Sequence, residues 1–182
     1  MHNAITNVQA AGHVYLVRSK SDASESAHML LIFDMLGCSD EQNISGLMVH
    51  LKANIGDQCY PNTTSLEIKP WTILRKEFHI IHIGNLMESE YLLNPTIVPS
   101  YVIQYQTSAI FQQIVDITIP VGTRCTLIQL LANNVYNKLV SDNNNQERWT
   151  SSFNCKTFVR SFLIHGLGLK WPDIEIAGDQ FV

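Results

Sequence analysis

The sequence predicts an α+β fold: a mostly antiparallel sheet built by the first two thirds of the chain, packed against helices that follow it. Three observations lead there. Short apolar runs separated by loop-length polar breaks fill the first part, the hydrophobic period changes to a helical one after Gly122, and 182 residues are enough for one domain, 1–182, with a core of its own.

The first run, Gly12 to Arg18 (GHVYLVR), reads as a strand, and polar Ser19 to Ser26 reads as a loop. Ala27 to Asp34 (AHMLLIFD) is apolar throughout its middle, as in a strand covered on both faces. Gly46 to Lys52 (GLMVHLK) follows another polar break, so three consecutive strands with short connections form an antiparallel meander. Asn54 to Ser65 contains Pro61 and reads as a loop, and Leu66 to Leu86 holds one or two strands, for example Lys76 to Ile83. Tyr101 to Tyr105 and Ile114 to Ile119 are further strand candidates. Leu127, Leu131, Val135 and Leu139 recur at i+4 and predict a helix from near Thr123 to just before Ser141. A second helix follows Ser151 and Ser152, with Cys155, Phe158, Val159, Phe162 and Leu163 on one face and Gly166 as its stop.

Composition excludes several functions. Apolar residues make up 46% and charged residues 15%, too hydrophobic a chain for disorder. Twelve Lys and Arg against 16 Asp and Glu give a net charge of −4 with no basic run, so no nucleic-acid partner is expected. No window has the roughly 20 apolar residues of a membrane span, and residues 1–10 lack the pattern of a signal peptide. A cytoplasmic protein with reduced thiols is the expectation. Cys38, Cys59, Cys125 and Cys155 form no C-x-x-C or Cys/His knuckle, and His79 with His82 lacks a third ligand, so neither a metal nor another cofactor is expected. Phosphate-loop, nucleophile-elbow and zinc-protease motifs are missing.

Cys155 is the most informative residue. A thiol in the first turn of a helix meets unpaired backbone N–H groups and the positive end of the helix dipole, both of which favour thiolate. Asn154, Ser151 or Ser152 can cap that helix, and the Cys155 N–H points where an oxyanion would develop. The plainer alternative is a buried core thiol, since Cys155 shares a face with Phe158 and Val159. A catalytic thiol needs a base. His28 opens an apolar strand just after a polar loop, and His50 lies on the next strand, within about 5 Å in a meander. One imidazole can then act as base and the other orient it.

These residues resemble a family. Gly12-His13-Val14-Tyr15-Leu16-Val17, then Ala27-His28-Met29-Leu30, then Gly46-Leu47-Met48-Val49-His50, and far downstream Asn154-Cys155-Lys156-Thr157-Phe158-Val159 are similar to the circularly permuted branch of the NlpC/P60 papain-like superfamily. That branch includes lecithin:retinol acyltransferase-like, phospholipase/acyltransferase and PPPDE peptidase groups. Its members run His before Cys, as this chain does. The resemblance implies a permuted papain-like architecture with Cys155 as nucleophile, His28 as general base and His50 as the residue that orients it. The chain departs from the lecithin:retinol acyltransferase pattern at His13, where that group has Asp, at Lys156-Thr157, where it has Glu-His, and in a longer His28 to His50 interval. Residues from about 52 to 120 have no counterpart and read as an insertion; His82 or Gln104 within it remain alternatives for the third residue.

The function expected is a cysteine-dependent hydrolase or acyl-transfer enzyme acting on an amide, isopeptide or ester bond, with a peptide, protein or acyl-containing substrate. One alternative is a phospholipase/acyltransferase on lipid esters. The other is an inactive module that binds a protein through the insertion, with Tyr60, Trp71, Tyr91 and Tyr101 as anchors.

Overall fold

In the computed structural model, residues 11–20, 28–54, 63–103 and 109–172 are described. Five strands form one antiparallel sheet: β1 (His13–Ser19), β2 (Met29–Asp34), β3 (Asn43–Asn54), β4 (Thr63–Leu74) and β5 (Phe78–Asn85), in the order β4-β3-β2-β1-β5. Four α-helices follow among the described residues: α1 (Glu90–Leu93), α2 (Ala109–Val115), α3 (Val121–Asp142) and α4 (Cys155–Ser161), the last continuing as a π-helical turn, Phe162–Gly166.

One face of the sheet is the expected helix-covered core. Val14, Leu16, Met29, Leu31, Phe33, Leu47, Val49 and Leu51 alternate along β1 to β3 and meet Ile128, Leu131, Val135, Phe158, Phe162 and Leu163 from the helices. The other face is not open. Val17, Ile32, Ile44, Met48 and Ile73 are buried there, with Tyr15, Leu30, Phe78 and Ile80 packed against them, and all nine belong to strands. The connection from β4 to β5 explains this. These are the two edge strands, about 19 Å apart in a flat five-stranded sheet at about 4.8 Å per strand. Only Arg75–Glu77 join them, and the step from Leu74 to Phe78 spans at most about 14 Å. The sheet therefore curls until its edges approach, enclosing a second small core on its concave face. Arg75 ties the seam: its backbone N–H donates to the Gln42 carbonyl, its Nε donates to the Asp40 carbonyl at 2.7 Å, and its guanidinium lies over the Tyr15 ring.

Several expectations are corrected. The one or two strands expected in Leu66 to Leu86 are β4 and β5, but β3 runs to Asn54 and β4 starts at Thr63, so both ends of the stretch read as a loop are strand. Ile114 to Ile119 is not a strand: α2 runs to Val115, and a turn follows in which the Asp116 carboxylate accepts the Thr118 N–H and hydroxyl. Tyr101 to Ile103 is a turn closed by the Val102 N–H on the Pro99 carbonyl, and the rest of that candidate lies outside the described residues. Most of the loops expected at 19–26 and 54–65 also lie outside them. The helix does end at Gly166, the last residue of the π-helical turn, but without a left-handed glycine there: a Cβ at Gly166 would stand 2.6 Å from the Phe162 ring, and the nearby glycine with positive φ is Gly168, at +64°. No described helix is long and apolar enough to cross a membrane.

Candidate active site

Strand pairing brings three polar side chains into a row at one end of the sheet. His28 immediately precedes β2 and is held to β1 by its N–H on Ser19 Oγ and its carbonyl on the Ser19 N–H. His50 lies on β3, and Glu67 is its direct cross-strand partner on β4. Strand alternation sets all three on the same face. His28 Nε2 lies 2.6 Å from His50 Nδ1, and His50 Nε2 lies 2.9 Å from Glu67 Oε1. Lys69 Nζ, at 3.4 Å, and Lys52 Nζ, at 3.8 Å, complete the surroundings of the carboxylate.

The network assigns the protons. A carboxylate only accepts, so His50 Nε2 carries hydrogen and donates to Glu67. In the neutral ring His50 Nδ1 is then an acceptor, and His28 Nε2 donates to it. That leaves the unprotonated nitrogen of His28 at Nδ1, the one nearest its own main chain. Burial, and then the neighbouring His50, push the His28 pKa down to about 4, against a smaller opposing pull from Glu67. The hydrogen bond from His50 leads the effects that hold the Glu67 carboxyl below its usual range.

Cys155 comes from the opposite side. Asn154 is the N-cap of α4: its Oδ1 accepts the N–H groups of Lys156 and Thr157, both at 3.1 Å, while Thr157 Oγ1 accepts the Asn154 N–H in a reciprocal capping box. Asn154 Nδ2 donates to the carbonyls of Thr150 and Ser151, so its amide is committed to shaping the turn before the helix. Cys155 is 8% exposed and contributes to the helix-side core. The backbone N–H groups of Met29, Lys156 and Cys155 itself lie near enough to the thiol to favour its charged form. The sulfur therefore lies near the first residue of β2, Met29. By strand alternation the His28–His50–Glu67 row lies on the sheet face of Leu30 and Met48, whereas Cys155 packs on the helix-side face with Met29, Leu31 and Val49, so thiol and imidazole flank the start of β2 from opposite faces.

One electrostatic expectation is reversed. The helix-terminus argument favours thiolate, yet burial dominates and raises the Cys155 pKa, with the three N–H donors and the Lys156 charge offsetting only part of it. The site rests as neutral thiol and neutral imidazole.

Glu67 went unrecognised in the sequence because β4 was unresolved within a long ambiguous stretch; the signal lies in the pairing, where partners on β3 and β4 keep a constant register from Asn43↔Leu74 to Asn54↔Thr63. His82 is elsewhere, on β5, with its Nε2 2.7 Å from His13 Nδ1, and Gln104 lies outside the described residues. Of the aromatic anchors considered, Tyr91 is a core residue whose hydroxyl donates to the His165 carbonyl, Tyr101 packs against the core, Trp71 is exposed under Lys69, and Tyr60 lies outside the described residues. Cys38 and Cys125 are free thiols, like Cys155, and Cys59 lies outside the described residues. No group of three or more metal-ligating side chains occurs among the described residues.

The low His28 pKa has a thermodynamic consequence. Between about pH 4 and 6.5 the unfolded chain binds a proton at this histidine and the folded chain does not, so stability rises with pH across that window and the gain is complete above it. For a shift of this size in a largely buried group, the expected gain is about 2 to 3 kcal/mol. Urea unfolding at pH 4.5 and pH 7 measures it. The pH difference should shrink by most of that amount in His28→Ala, and an unchanged difference would refute the assignment.

No family model matches the chain, and neither a curated protein nor a solved structure matches it.

Proposed function

We propose that the chain is a cysteine hydrolase or acyl-transfer enzyme of the circularly permuted NlpC/P60 papain-like kind, working in the cytoplasm on an amide, isopeptide or ester bond. The observation that carries this reading is the row His28–His50–Glu67 at the start of β2, next to Met29, whose N–H lies near the Cys155 thiol. A lone histidine or a lone buried thiol has many structural uses. A helix-terminal thiol at the start of a strand whose neighbouring imidazole is backed by a second imidazole and a carboxylate supplies the groups that nucleophile, base and orienter require.

The chemistry balances with these groups alone. In this reading His28 takes the thiol proton as the sulfur attacks the carbonyl carbon, and the Cys155 N–H, at the N-terminus of α4, stabilises the oxyanion. Collapse breaks the bond to the amine or alcohol, which leaves with the proton from His28. Water, or an acceptor amine or alcohol, then loses its proton to His28 as it attacks the thioester. The carbon–sulfur bond breaks and the thiol is restored. His50 and Glu67 stabilise the transient imidazolium through Nε2.

The buried sulfur and its raised pKa favour a second reading, a protein that keeps the arrangement without turnover and binds a partner instead. Incubation with p-nitrophenyl acetate followed by intact-mass and peptide mass spectrometry separates the two. An enzyme accumulates one acetyl group on Cys155 with a burst of nitrophenol, absent in Cys155→Ala. If acetylation of Cys155 is no faster than that of Cys125, another partly buried thiol, the catalytic reading fails.

A further inference from the structure

At the end of β1 remote from His28, a cavity of about 190 Å³ is lined by Ala11, Gly12, Asn85, Leu86, Met87, the segment 114–117 and Arg124. Its chemistry is lopsided. The polar groups of the β1 and β5 side satisfy one another: Asn85 Nδ2 donates to the Ala11 carbonyl, Asn85 Oδ1 accepts the Met87 N–H, and the Gly12 and Leu86 N–H groups donate to the carbonyls of Asp34 and Gly12. Leu86, Met87, Ile114 and Ile117 make the remaining wall apolar.

Arg124 is the exception. It is 4% exposed, and its Nε donates to the Ile114 carbonyl at 2.8 Å. Arg124 enters none of the ion pairs made by His50, Lys52, Lys69 and Lys138. No enclosed side-chain nitrogen or oxygen among the described residues lacks a partner, so the terminal Nη groups of Arg124 open into the cavity. Its charged neighbour in this wall is the Asp116 carboxylate, which forms no ion pair with it, so its Nη donors have room for a further anion.

We propose that this cavity binds a small monocarboxylate with a short apolar tail, the carboxylate held bidentate by the Nη groups of Arg124 and the tail against Leu86, Met87, Ile114 and Ile117. Size limits the tail, and the apolar wall favours one over a bare inorganic ion. Asp116 decides the charge. Its carboxylate, held ionised by the Thr118 hydroxyl and N–H, stands in the same wall and penalises a dianion such as phosphate more than a monoanion.

Titration calorimetry with butyrate, hexanoate and benzoate, against butyramide, benzamide and inorganic phosphate, tests this on the full chain. At least one carboxylate should bind ten times or more tightly than its amide, and phosphate should bind more weakly than that carboxylate. Arg124→Gln should lose at least tenfold and Asp116→Asn should gain a few-fold, the second variant leaving the guanidinium and its packing in place. Amide perturbations on binding should centre on Gly12, Leu86, Met87 and Asp116, and binding should survive in Cys155→Ala, which separates this site from the thiol chemistry. Equal binding of acid and amide, tighter phosphate, or an unchanged Arg124→Gln would overturn the proposal.

Discussion

Replacing His28 by alanine is expected to slow acylation of Cys155 by about a hundredfold to ten-thousandfold, the range lost when a positioned general base is removed. The effect should be large because the resting thiol is protonated: burial raises its pKa, so little thiolate is available at neutral pH without a base. The shape of the pH profile is a sharper test than its height. With His28 neutral above about pH 4 and the thiol neutral to well above pH 8, base-assisted attack runs at a nearly constant rate from about pH 5 to 8. In His28→Ala only preformed thiolate reacts, so the residual rate should climb tenfold per pH unit across the same range. His50→Ala should fall between the two, because His28 then loses the acceptor that fixes its tautomer. Glu67→Gln keeps an acceptor for His50 Nε2 and removes only the charge behind it, so its loss should be the smallest of the three. A wild-type rate that rises tenfold per unit, with no change in His28→Ala, would show that the imidazole takes no part.

How much of this was legible in the sequence depended on how local the signal was. The β1–β2–β3 meander, α3 and the helix opened by Cys155 follow from short-range periodicity and caps, and the structure has all of them. The neighbouring positions of His28 and His50 follow from the meander alone. Glu67 was hidden because its approach to His50 depends on the register of β4 against β3, a pairing between distant stretches that local periodicity does not set. The curl of the sheet was hidden for the same reason: it is set by a three-residue connection between strands at opposite edges, a fact about topology rather than composition. The thiol pKa failed differently. A helix terminus is visible in sequence, whereas the depth at which Phe153, Phe158 and their neighbours bury Cys155 is not, and desolvation outweighs the N–H groups.

The largest effect on stability is expected at a residue with no chemistry. Gly46 lies on β3 beside the last residues of β2, and a Cβ there would run into the Phe33 carbonyl, with its carbon at 2.6 Å and the Asp34 nitrogen at 3.0 Å. These are main-chain atoms, and no rotamer change relieves them. To make room, β2 must draw away from β3 next to the Phe33↔Leu47 pair, while Asp34 is fixed on its far side by the Gly12 N–H on its carbonyl and by the Cys38 and Ser39 N–H groups on its carboxylate. Gly46→Ala should therefore cost about 3 kcal/mol or more, a large fraction of the stability of an ordinary domain, read as a fall in the urea midpoint. Gly122→Ala is the control. A Cβ there meets nothing within 4 Å, and the position lies in the first turn of α3, so alanine should raise stability by about 0.5 to 1 kcal/mol. Because β2 begins at Met29, which packs in the same core as Cys155, any Gly46→Ala protein that remains folded should also acylate more slowly, with no substitution near the thiol. Two glycine variants of equal stability would mean that the β2–β3 pairing is looser than this register requires.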